Sequence, residues 1–223
     1  MLKYALIVAG GKGLRMGSEM PKQFINLNGT PVLMHTLRAF AVIENINLIL
    51  VLPQDQVGFW ETLCNSMESV PNHQIVVGGP TRFHSVSNGL MAIPEPNSLV
   101  AIHDGVRPMI SKEIIENGFE TAQLKGNSVV VVPLKDSLRK QELLENHSVN
   151  RANYYLVQTP QTFQTNILLK AYQNASHDNF TDDASVIEEV LGDKINMITG
   201  SYQNIKITTP EDLLVAEVFL RNK

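Results

Sequence analysis

Glycines and cations alternate along one short stretch near the amino terminus, and this stretch holds the residues best suited to chemistry. It follows the apolar run 6–8, and residues 8–23 read V-A-G-G-K-G-L-R-M-G-S-E-M-P-K-Q. Glycine allows positive φ and close approach of a ligand to the main chain, and exposed N–H groups favour an anion. With the cations Lys12, Arg15 and Lys22 nearby, such a loop suits a polyphosphate. We predict a triphosphate-binding loop that begins at Gly10 and Gly11.

Two known glycine motifs are absent from this stretch. Counted from Gly10, the lysine of a P-loop would fall at Met16, and counted from Gly11 the third glycine of a dinucleotide fingerprint would also fall at Met16. The alternative is a mobile glycine-rich surface loop. The position of the stretch directly after an apolar strand favours a ligand site, because open α/β sheets bind ligands at the carboxyl ends of their strands.

Composition sets the broad class. The 223 residues carry a net charge of −4 with scattered basic residues, which gives no reason to expect nucleic acid as a partner. Cys64 is the single cysteine, so an internal disulfide is impossible and a reducing, cytoplasmic location is expected. The apolar runs are far shorter than the ~20 residues that span a bilayer, so no membrane association is expected.

Apolar runs and helical patterns alternate along most of the chain. Short strands are predicted at 48–52, 74–77, 99–103, 128–132 and 195–198. Helices are predicted at 32–43, 57–67, 82–92, 112–124, 165–174, 183–191 and 210–221, with residues 158–161 as a break between elements. This alternation predicts a single α/β domain over 1–223, with a doubly wound, mostly parallel, Rossmann-like sheet.

The pattern changes between residues 134 and 152, which are polar and loosely alternating. Two short strands with little apolar content make a hairpin that is not stable alone in water. We therefore predict a protruding β-hairpin arm that packs on a second subunit, and hence a homodimer.

Further candidates lie where predicted strands end. Residues 78–85 read G-G-P-T-R-F-H-S, so backbone groups, Ser85 and the charge of Arg82 could contact a nucleotide base, although a plain helix start capped by Thr81 fits about as well. Asp104 ends an apolar strand beside Arg107, which suits a divalent cation and a phosphate, or a simple ion pair. Lys206 lies in an apolar run, which favours a directed role. His103 is given no catalytic role.

Several motifs, taken in order, resemble the 2-C-methyl-D-erythritol 4-phosphate cytidylyltransferase family. They are V-A-G-G-K-G-L-R-M with P-K-Q, G-G-P-T-R-F-H-S-V, H-D-G-V-R-P, P-L-K-D-S, Q-T-P-Q-T-F, T-D-D-A-S and N-I-K-I-T-T-P-E-D-L. The resemblance implies a magnesium-dependent transfer of CMP from CTP to a sugar-alcohol phosphate, with release of pyrophosphate. Ribitol-5-phosphate cytidylyltransferase is a close relative and stays open as an alternative, as does a module that senses CTP without turnover.

The resemblance also implies roles for individual residues. Arg15, Lys22 and Lys206 would contact the triphosphate and act in catalysis, and Asp104 would position Mg²⁺. Ala9, Gly79, Pro80 and Ser85 would surround cytosine, with Gly105 beside the ribose. The methylerythritol phosphate would be bound by Arg107, Ser137, Arg151 and Thr181, in part across the dimer. Pro80 stands where the family often has Asp, and Ser137 replaces the more usual Thr.

Overall fold

A computed structural model describes residues 1–10 and 20–221 of the chain. Its strands are β1 (Lys3–Val8), β2 (Asn26–Leu27), β3 (Thr30–Pro31), β4 (Ile46–Leu52), β5 (Gln74–Val77), β6 (Leu99–Asp104), β7 (Asn127–Pro133), β8 (Leu138–Glu142), β9 (Glu145–Val149), β10 (Tyr155–Gln164) and β11 (Met197–Thr199). Its helices are α1 (Val32–Ala41), α2 (Gln54–Asn65), α3 (Arg82–Met91), α4 (Lys112–Lys125), α5 (Thr165–Asn174), α6 (Asp183–Leu191) and α7 (Pro210–Arg221).

The central sheet contains seven of these strands in the order β11-β7-β10-β6-β1-β4-β5. Every pairing in it is parallel except those of β10, which runs antiparallel to both β6 and β7. Val8 at the end of β1 is aligned with Val51 on one side and Asp104 on the other. The carboxyl ends of three neighbouring strands therefore meet at one edge, and the predicted doubly wound, mostly parallel α/β sheet is confirmed.

Helices cover both faces of the sheet, because the strands are apolar on both sides. Ile7 faces a core built with Phe40 of α1, Trp60 of α2 and Phe119 of α4. Its neighbour Leu6 points to the opposite core, which α3, α5 and α6 complete. These five side chains, Ile7 and Leu6 included, are fully or almost fully buried. Strand alternation thus sends successive residues of β1 into two separate cores.

The prediction of a break at residues 158–161 was wrong. These residues lie within β10, the longest strand, and they are buried. Pro160 has no N–H to donate to a ladder, which is why the sequence suggested an interruption. The strand accommodates it through a register shift between Val157 and Gln161 against β7. The strand then continues with Thr162 and Phe163 paired to β6 as well as to β7.

The predicted hairpin is present as a separate two-stranded sheet of β8 and β9. Its side chains are largely exposed, and Leu143 and Leu144 at its tip are 99% and 98% exposed. We call residues 134–152 the arm. Its function in dimerisation stays a prediction. Among the residues that the structure describes, no helix combines the length and apolar character needed to cross a bilayer.

Candidate active site

Two adjoining cavities open at the carboxyl edge of the central sheet. The first cavity, of about 240 Å³, is lined by Val8, Ala9, Gly10, Lys22, Gln23, Gly79, Pro80, Thr81, Arg82, Ser85, Asp104, Val106 and Lys206. The second cavity, of about 300 Å³, is lined by Arg82, Asp104, Arg107, Val157, Gln158, Thr159, Gln161, Thr181, Asp182 and Lys206. Arg82, Asp104 and Lys206 line both, so these three charged residues form the wall between them.

The turn between β5 and α3 gives the first cavity a glycine-lined side. The hydroxyl of Ser85 accepts a hydrogen bond from Gly79 N at 3.1 Å and donates one to the Thr81 carbonyl at 2.9 Å. A Cβ on Gly79 would lie only 2.4 Å from Cβ of His84, so this position requires glycine. Thr81 caps α3 as expected, and the same turn also lines the cavity, so the two interpretations of this motif are compatible.

Gly105 lies behind the first cavity and lines neither cavity. Its N–H donates to the Val8 carbonyl at 2.8 Å, and its carbonyl accepts from the Thr36 hydroxyl at 2.9 Å. An added Cβ would approach Cβ of Ala9 to 2.9 Å. Gly105 therefore lets the segments after β1 and β6 pack closely.

Asp104 is the electrostatic centre of the shared wall. Its Oδ2 lies 3.0 Å from Lys206 Nζ and 3.2 Å from Arg107 Nε, and its backbone N–H donates to the Thr159 hydroxyl at 3.1 Å. Burial by itself raises the pKa of Asp104, but the charges of Lys206, Arg82 and Arg107 outweigh burial and hold this pKa well below its ordinary range. Asp104 is therefore ionised at neutral pH.

Lys206 reaches the wall from the loop before α7. Its flanking residues Ile205 and Ile207 pack in a small apolar cluster with Val106, and Ile207 N donates to the Val106 carbonyl at 2.9 Å. The loop is also fixed by Asn204, whose fully buried amide donates to the carbonyl of Thr159 at 2.8 Å. This packing directs Lys206 toward Asp104, as its position in an apolar run suggested.

Lys22 enters the first cavity from a short 3₁₀ helix over Lys22–Phe24. The next residue, Gln23, is buried and donates from Nε2 to the Ala9 carbonyl at 2.9 Å. Phe24 stacks on Trp60 of α2 with ring centroids 6.0 Å apart. The turn that carries Lys22 is thus tied to the end of β1 and to the core.

Arg82 has a partner that the sequence did not suggest. Its two terminal nitrogens donate to the two carboxylate oxygens of Asp183 at 3.0 and 2.7 Å. Burial lowers the pKa of Arg82, but the charge of Asp183 more than offsets this effect and raises the pKa above its ordinary value. Arg82 is therefore a permanent cation at the wall between the cavities.

The predicted alcohol-phosphate residues fall into two groups. Arg107 and Thr181 line the second cavity, and Arg107 also donates from Nη1 to the Asn204 carbonyl at 2.9 Å. Ser137 and Arg151 lie on the arm, are exposed, and line neither cavity of the same chain. Arg151 donates to the carbonyl of Lys135 at the base of the arm.

Gly11, Lys12 and Arg15 of the predicted triphosphate-binding loop lie outside the described residues. The remaining residues predicted for the nucleotide, the metal ion and catalysis come together in the first cavity, apart from Gly105 behind it: Ala9, Gly10, Lys22, Gly79, Pro80, Arg82, Ser85, Asp104 and Lys206. Sequence reasoning missed Gln23 in the first cavity and Gln158, Thr159, Gln161 and Asp182 in the second. The motifs P-K-Q, Q-T-P-Q-T-F and T-D-D-A-S contain these residues, but no rule of residue type singles them out.

His103 is fully buried beside the wall, where Nε2 donates to the Arg107 carbonyl at 3.1 Å and the ring contacts Phe40. Burial lowers the pKa of His103 to about 4, so the imidazole is neutral at neutral pH. This placement fits a structural histidine.

These features define an α/β nucleotidyltransferase: a glycine-lined cavity and converging cations lie at the carboxyl edge of a mostly parallel sheet. A family described as "IspD: 2-C-methyl-D-erythritol 4-phosphate cytidylyltransferase" matches residues 4–222. The chain belongs to the 2-C-methyl-D-erythritol 4-phosphate cytidylyltransferase family.

Individual relatives agree with this assignment. Proteins named 2-C-methyl-D-erythritol 4-phosphate cytidylyltransferase from Azobacteroides pseudotrichonymphae and Porphyromonas gingivalis are each 48% identical, over 98% of this chain and 98% and 97% of theirs. The crystal structure of 4-diphosphocytidyl-2C-methyl-D-erythritol synthase from Anaerococcus prevotii superposes with a TM-score of 0.84 at 31% identity, covering 99% of this chain and 96% of that one. The Thermus thermophilus cytidylyltransferase gives 0.81 at 32% identity, covering 99% and 100%.

Proposed function

We propose that this protein transfers CMP from CTP to 2-C-methyl-D-erythritol 4-phosphate, giving 4-diphosphocytidyl-2-C-methyl-D-erythritol and pyrophosphate. The observation that carries the proposal is the shared wall, where Arg82, Asp104 and Lys206 face two adjoining cavities. Lys22 adds a further cation on the side of the first cavity. Two phosphate-bearing substrates can therefore meet at one charged boundary. We place CTP in the first cavity and the alcohol phosphate in the second.

The reaction in this arrangement requires no covalent enzyme intermediate. An oxygen of the alcohol phosphate attacks the α-phosphorus of CTP, the bond to the bridging oxygen breaks, and pyrophosphate leaves with that oxygen. The attacking group is already an anion, so alignment and stabilisation of charge supply the rate enhancement. We assign Lys22 and Lys206, together with Arg15, to the charge that develops around the α-phosphorus.

Cytosine recognition is assigned to the turn after β5 and to the end of β1. Gly79, Pro80, Ala9 and Gly10 line the first cavity, and we assign their main-chain carbonyl groups to the edge of the base. The N–H groups of Ala9 and Gly79 already donate to Val51 and Ser85. Pro80 has no N–H, so only its carbonyl takes part. Ser85 braces this turn through its bonds to Gly79 N and the Thr81 carbonyl.

Magnesium is part of the proposal, with Asp104 as its protein ligand. Among the described residues, no group of three histidine, cysteine or acidic side chains could hold a metal ion. A single ionised carboxylate nevertheless fits Mg²⁺, which is commonly held through one or two carboxylates together with substrate phosphates and water. When bound, Mg²⁺ would neutralise phosphate charge. Asp104 would hold it, and Lys206 and Arg107 keep that carboxylate ionised.

A homodimer completes the proposed alcohol site. Ser137 and Arg151 lie on the exposed arm and line neither cavity of their own chain, so we assign them to the second cavity of a partner subunit. Exposed apolar side chains on the arm and at its base support a buried partner surface: Leu143, Leu144, Tyr154, Tyr155, Leu156 and Val157. We also propose a cytoplasmic location, in keeping with the single cysteine, Cys64.

Pyrophosphate release from CTP tests the function directly. We expect release with CTP and 2-C-methyl-D-erythritol 4-phosphate, little with CTP and ribitol 5-phosphate, and none with CTP alone. Faster release with ribitol 5-phosphate would transfer the assignment to the ribitol enzyme. CTP binding in calorimetry, without pyrophosphate release from CTP in the presence of either alcohol phosphate, would make the protein a nucleotide-binding module and would contradict the proposal.

A further inference from the structure

Asp183, the first residue of α6, is a buried carboxylate that the proposed reaction does not use. Its side chain is 0% exposed and binds both terminal nitrogens of Arg82 at 3.0 and 2.7 Å. The hydroxyl of Tyr172, from α5, donates to Asp183 Oδ1 at 2.7 Å. Burial and the adjacent charge of Asp183 raise the pKa of Tyr172 well above its ordinary value, so this hydroxyl remains a donor.

Elements around Asp183 are joined to it and to one another by hydrogen bonds and a ring contact. The side chain of Gln161 on β10 accepts from the backbone N–H groups of Asp183 and Ala184 at 3.0 and 2.9 Å. The ring of Tyr172 stacks on Phe83, the residue after Arg82, with centroids 4.5 Å apart. Three helices and one strand are thereby fixed around a single carboxylate.

A contribution to folding stability does not by itself explain the ion pair between Arg82 and Asp183. Removing the Asp183 carboxylate from water is costly, and apolar replacement of a buried ion pair is often neutral or stabilising. The Arg82 side chain stays 29% exposed. A bidentate arginine–carboxylate pair does, however, fix the plane and position of the guanidinium. Asp183 uses two of the N–H donors of Arg82 and leaves the others for a further acceptor.

The position of Arg82 relative to the two cavities indicates what this ion pair does. Arg82 lines both cavities, with Asp104 and Lys206, and its charge contributes to the lowered pKa of Asp104. We infer that Asp183 is a positioning residue, which holds the Arg82 guanidinium at the shared wall so that it meets the phosphate groups of both substrates. This inference rests on the proposed function.

A double-mutant cycle tests whether Asp183 acts through Arg82. The four proteins are the unaltered chain, D183N, R82Q and the double variant, compared by kcat for pyrophosphate release and by the Kd of CTP in calorimetry. D183N keeps the shape of the side chain but loses the charge. We expect D183N to lower kcat roughly tenfold or more in the unaltered chain and less than twofold in the R82Q background, by analogy with loss of a positioned group.

A merely structural role gives a different result. If D183N lowers the melting temperature but leaves kcat of the folded protein within twofold, or if it lowers kcat equally in both backgrounds, the inference is overturned. Where D183N does not fold, Y172F replaces it in the cycle, since it removes only the hydroxyl that donates to Asp183. The same comparison of kcat is then made with Y172F. We expect Y172F to lower kcat about threefold in the unaltered chain and to have a smaller effect in the R82Q background.

Failure of the proposed function is visible separately. An unaltered chain that binds CTP without turnover contradicts the transfer reaction. The cycle then uses only the Kd of CTP. We expect D183N to raise this Kd more in the unaltered chain than in the R82Q background. In that case, a Kd for CTP that D183N leaves unchanged would overturn the positioning role.

Discussion

Lys206 Nζ lies 3.0 Å from Oδ2 of Asp104, and the same oxygen accepts a hydrogen bond from Arg107 Nε at 3.2 Å. Asp104 ends a strand at the middle of the sheet, whereas Lys206 comes from the loop before the last helix. The carboxylate thus holds Lys206 at the shared wall and Arg107 beside it in the second cavity. A bound triphosphate would offer Lys206 a second anion within reach, so this ion pair keeps the site pre-organised.

Lys22→Ala should lower turnover strongly without disturbing the fold. Lys22 lines the first cavity from a turn that is anchored separately by Gln23 and Phe24. We expect kcat for pyrophosphate release to fall on the order of 10²–10³, by analogy with removal of one oxyanion-stabilising donor. Lys125→Ala, which removes an exposed lysine at the end of α4, is the control and should keep full activity. Near-normal turnover in Lys22→Ala would remove Lys22 from the mechanism.

Asp104→Asn should change the magnesium requirement. The amide keeps the shape but loses the charge that would bind Mg²⁺ and that pairs with Lys206 and Arg107. We expect the Mg²⁺ concentration for half-maximal activity to rise about tenfold or more, since metal affinity follows ligand charge. Asp193→Asn, at an exposed position after α6, serves as the matched control. An unchanged magnesium titration in the Asp104 variant would contradict its assignment as the metal ligand.

Gly79→Ala should weaken CTP binding. The new Cβ would lie 2.4 Å from Cβ of His84, so the turn that borders the first cavity must move. We expect the KM for CTP to rise about tenfold, the equivalent of roughly 1.4 kcal/mol. Gly58→Ala is the matched control, because a Cβ there meets nothing within 4 Å. An equal KM in the two variants would show that the turn after β5 does not contact the nucleotide.

Asp212 should stabilise α7 in a pH-dependent way. Its Oδ2 accepts from Thr208 N at 2.8 Å and Thr209 N at 2.9 Å at the start of the helix. Partial burial raises the pKa of Asp212, but these hydrogen bonds outweigh burial and lower it from its ordinary value of 3.8. The contribution is therefore complete above about pH 4 and is lost as the pH falls through the lowered pKa.

Denaturant unfolding of Asp212→Ala at several pH values measures this contribution. At pH 7 the variant should lose about 1 kcal/mol of unfolding free energy, the usual cost of a lost cap. The difference from the unaltered chain should shrink in strong acid, where both lack the ionised carboxylate. Glu120→Gln, at an exposed position on α4, is the control and should not show this pH-dependent difference. A gap that stays constant with pH would contradict the role of the charge.

Arg151 on the arm should act in the active site of the partner subunit. Lys22→Ala lacks a cation of the first cavity, and Arg151→Ala lacks the guanidinium on the arm. Mixed dimers would contain one site in which both residues are present, so mixing should restore roughly a quarter of the unaltered activity after random exchange. A mixture of Lys22→Ala with the double variant should restore none. If the first mixture shows only the sum of its components, Arg151 acts within its own chain or not at all.

Light scattering of Leu143→Asp should show a larger monomer fraction than the unaltered chain, because the substitution places a charge at the exposed apolar tip of the arm. A similar charge at Leu124, also exposed but distant in the sequence on α4, is the control. An unaltered chain that is monomeric at working concentration would contradict the homodimer itself.

The alternation of apolar runs and helical patterns was enough to predict the sheet, and helices such as Thr165–Asn174 and Asp183–Leu191 were predicted to the residue. It failed at β10, because Pro160 resembles a break and the compensating register shift depends on pairing with β7. Local pattern carries no information about such a partner strand.

The sequence by itself determined the family, the order of the elements and the residue types that carry charge to the carboxyl edge of the sheet. It placed Asp104 at a strand end and Lys206 in an apolar run, because burial and periodicity are local properties. Only the tertiary structure decided that Arg82 is held by Asp183 and that Arg82, Asp104 and Lys206 separate two cavities. These relationships join residues far apart in the chain, and they exist only once packing has fixed the distances between the elements.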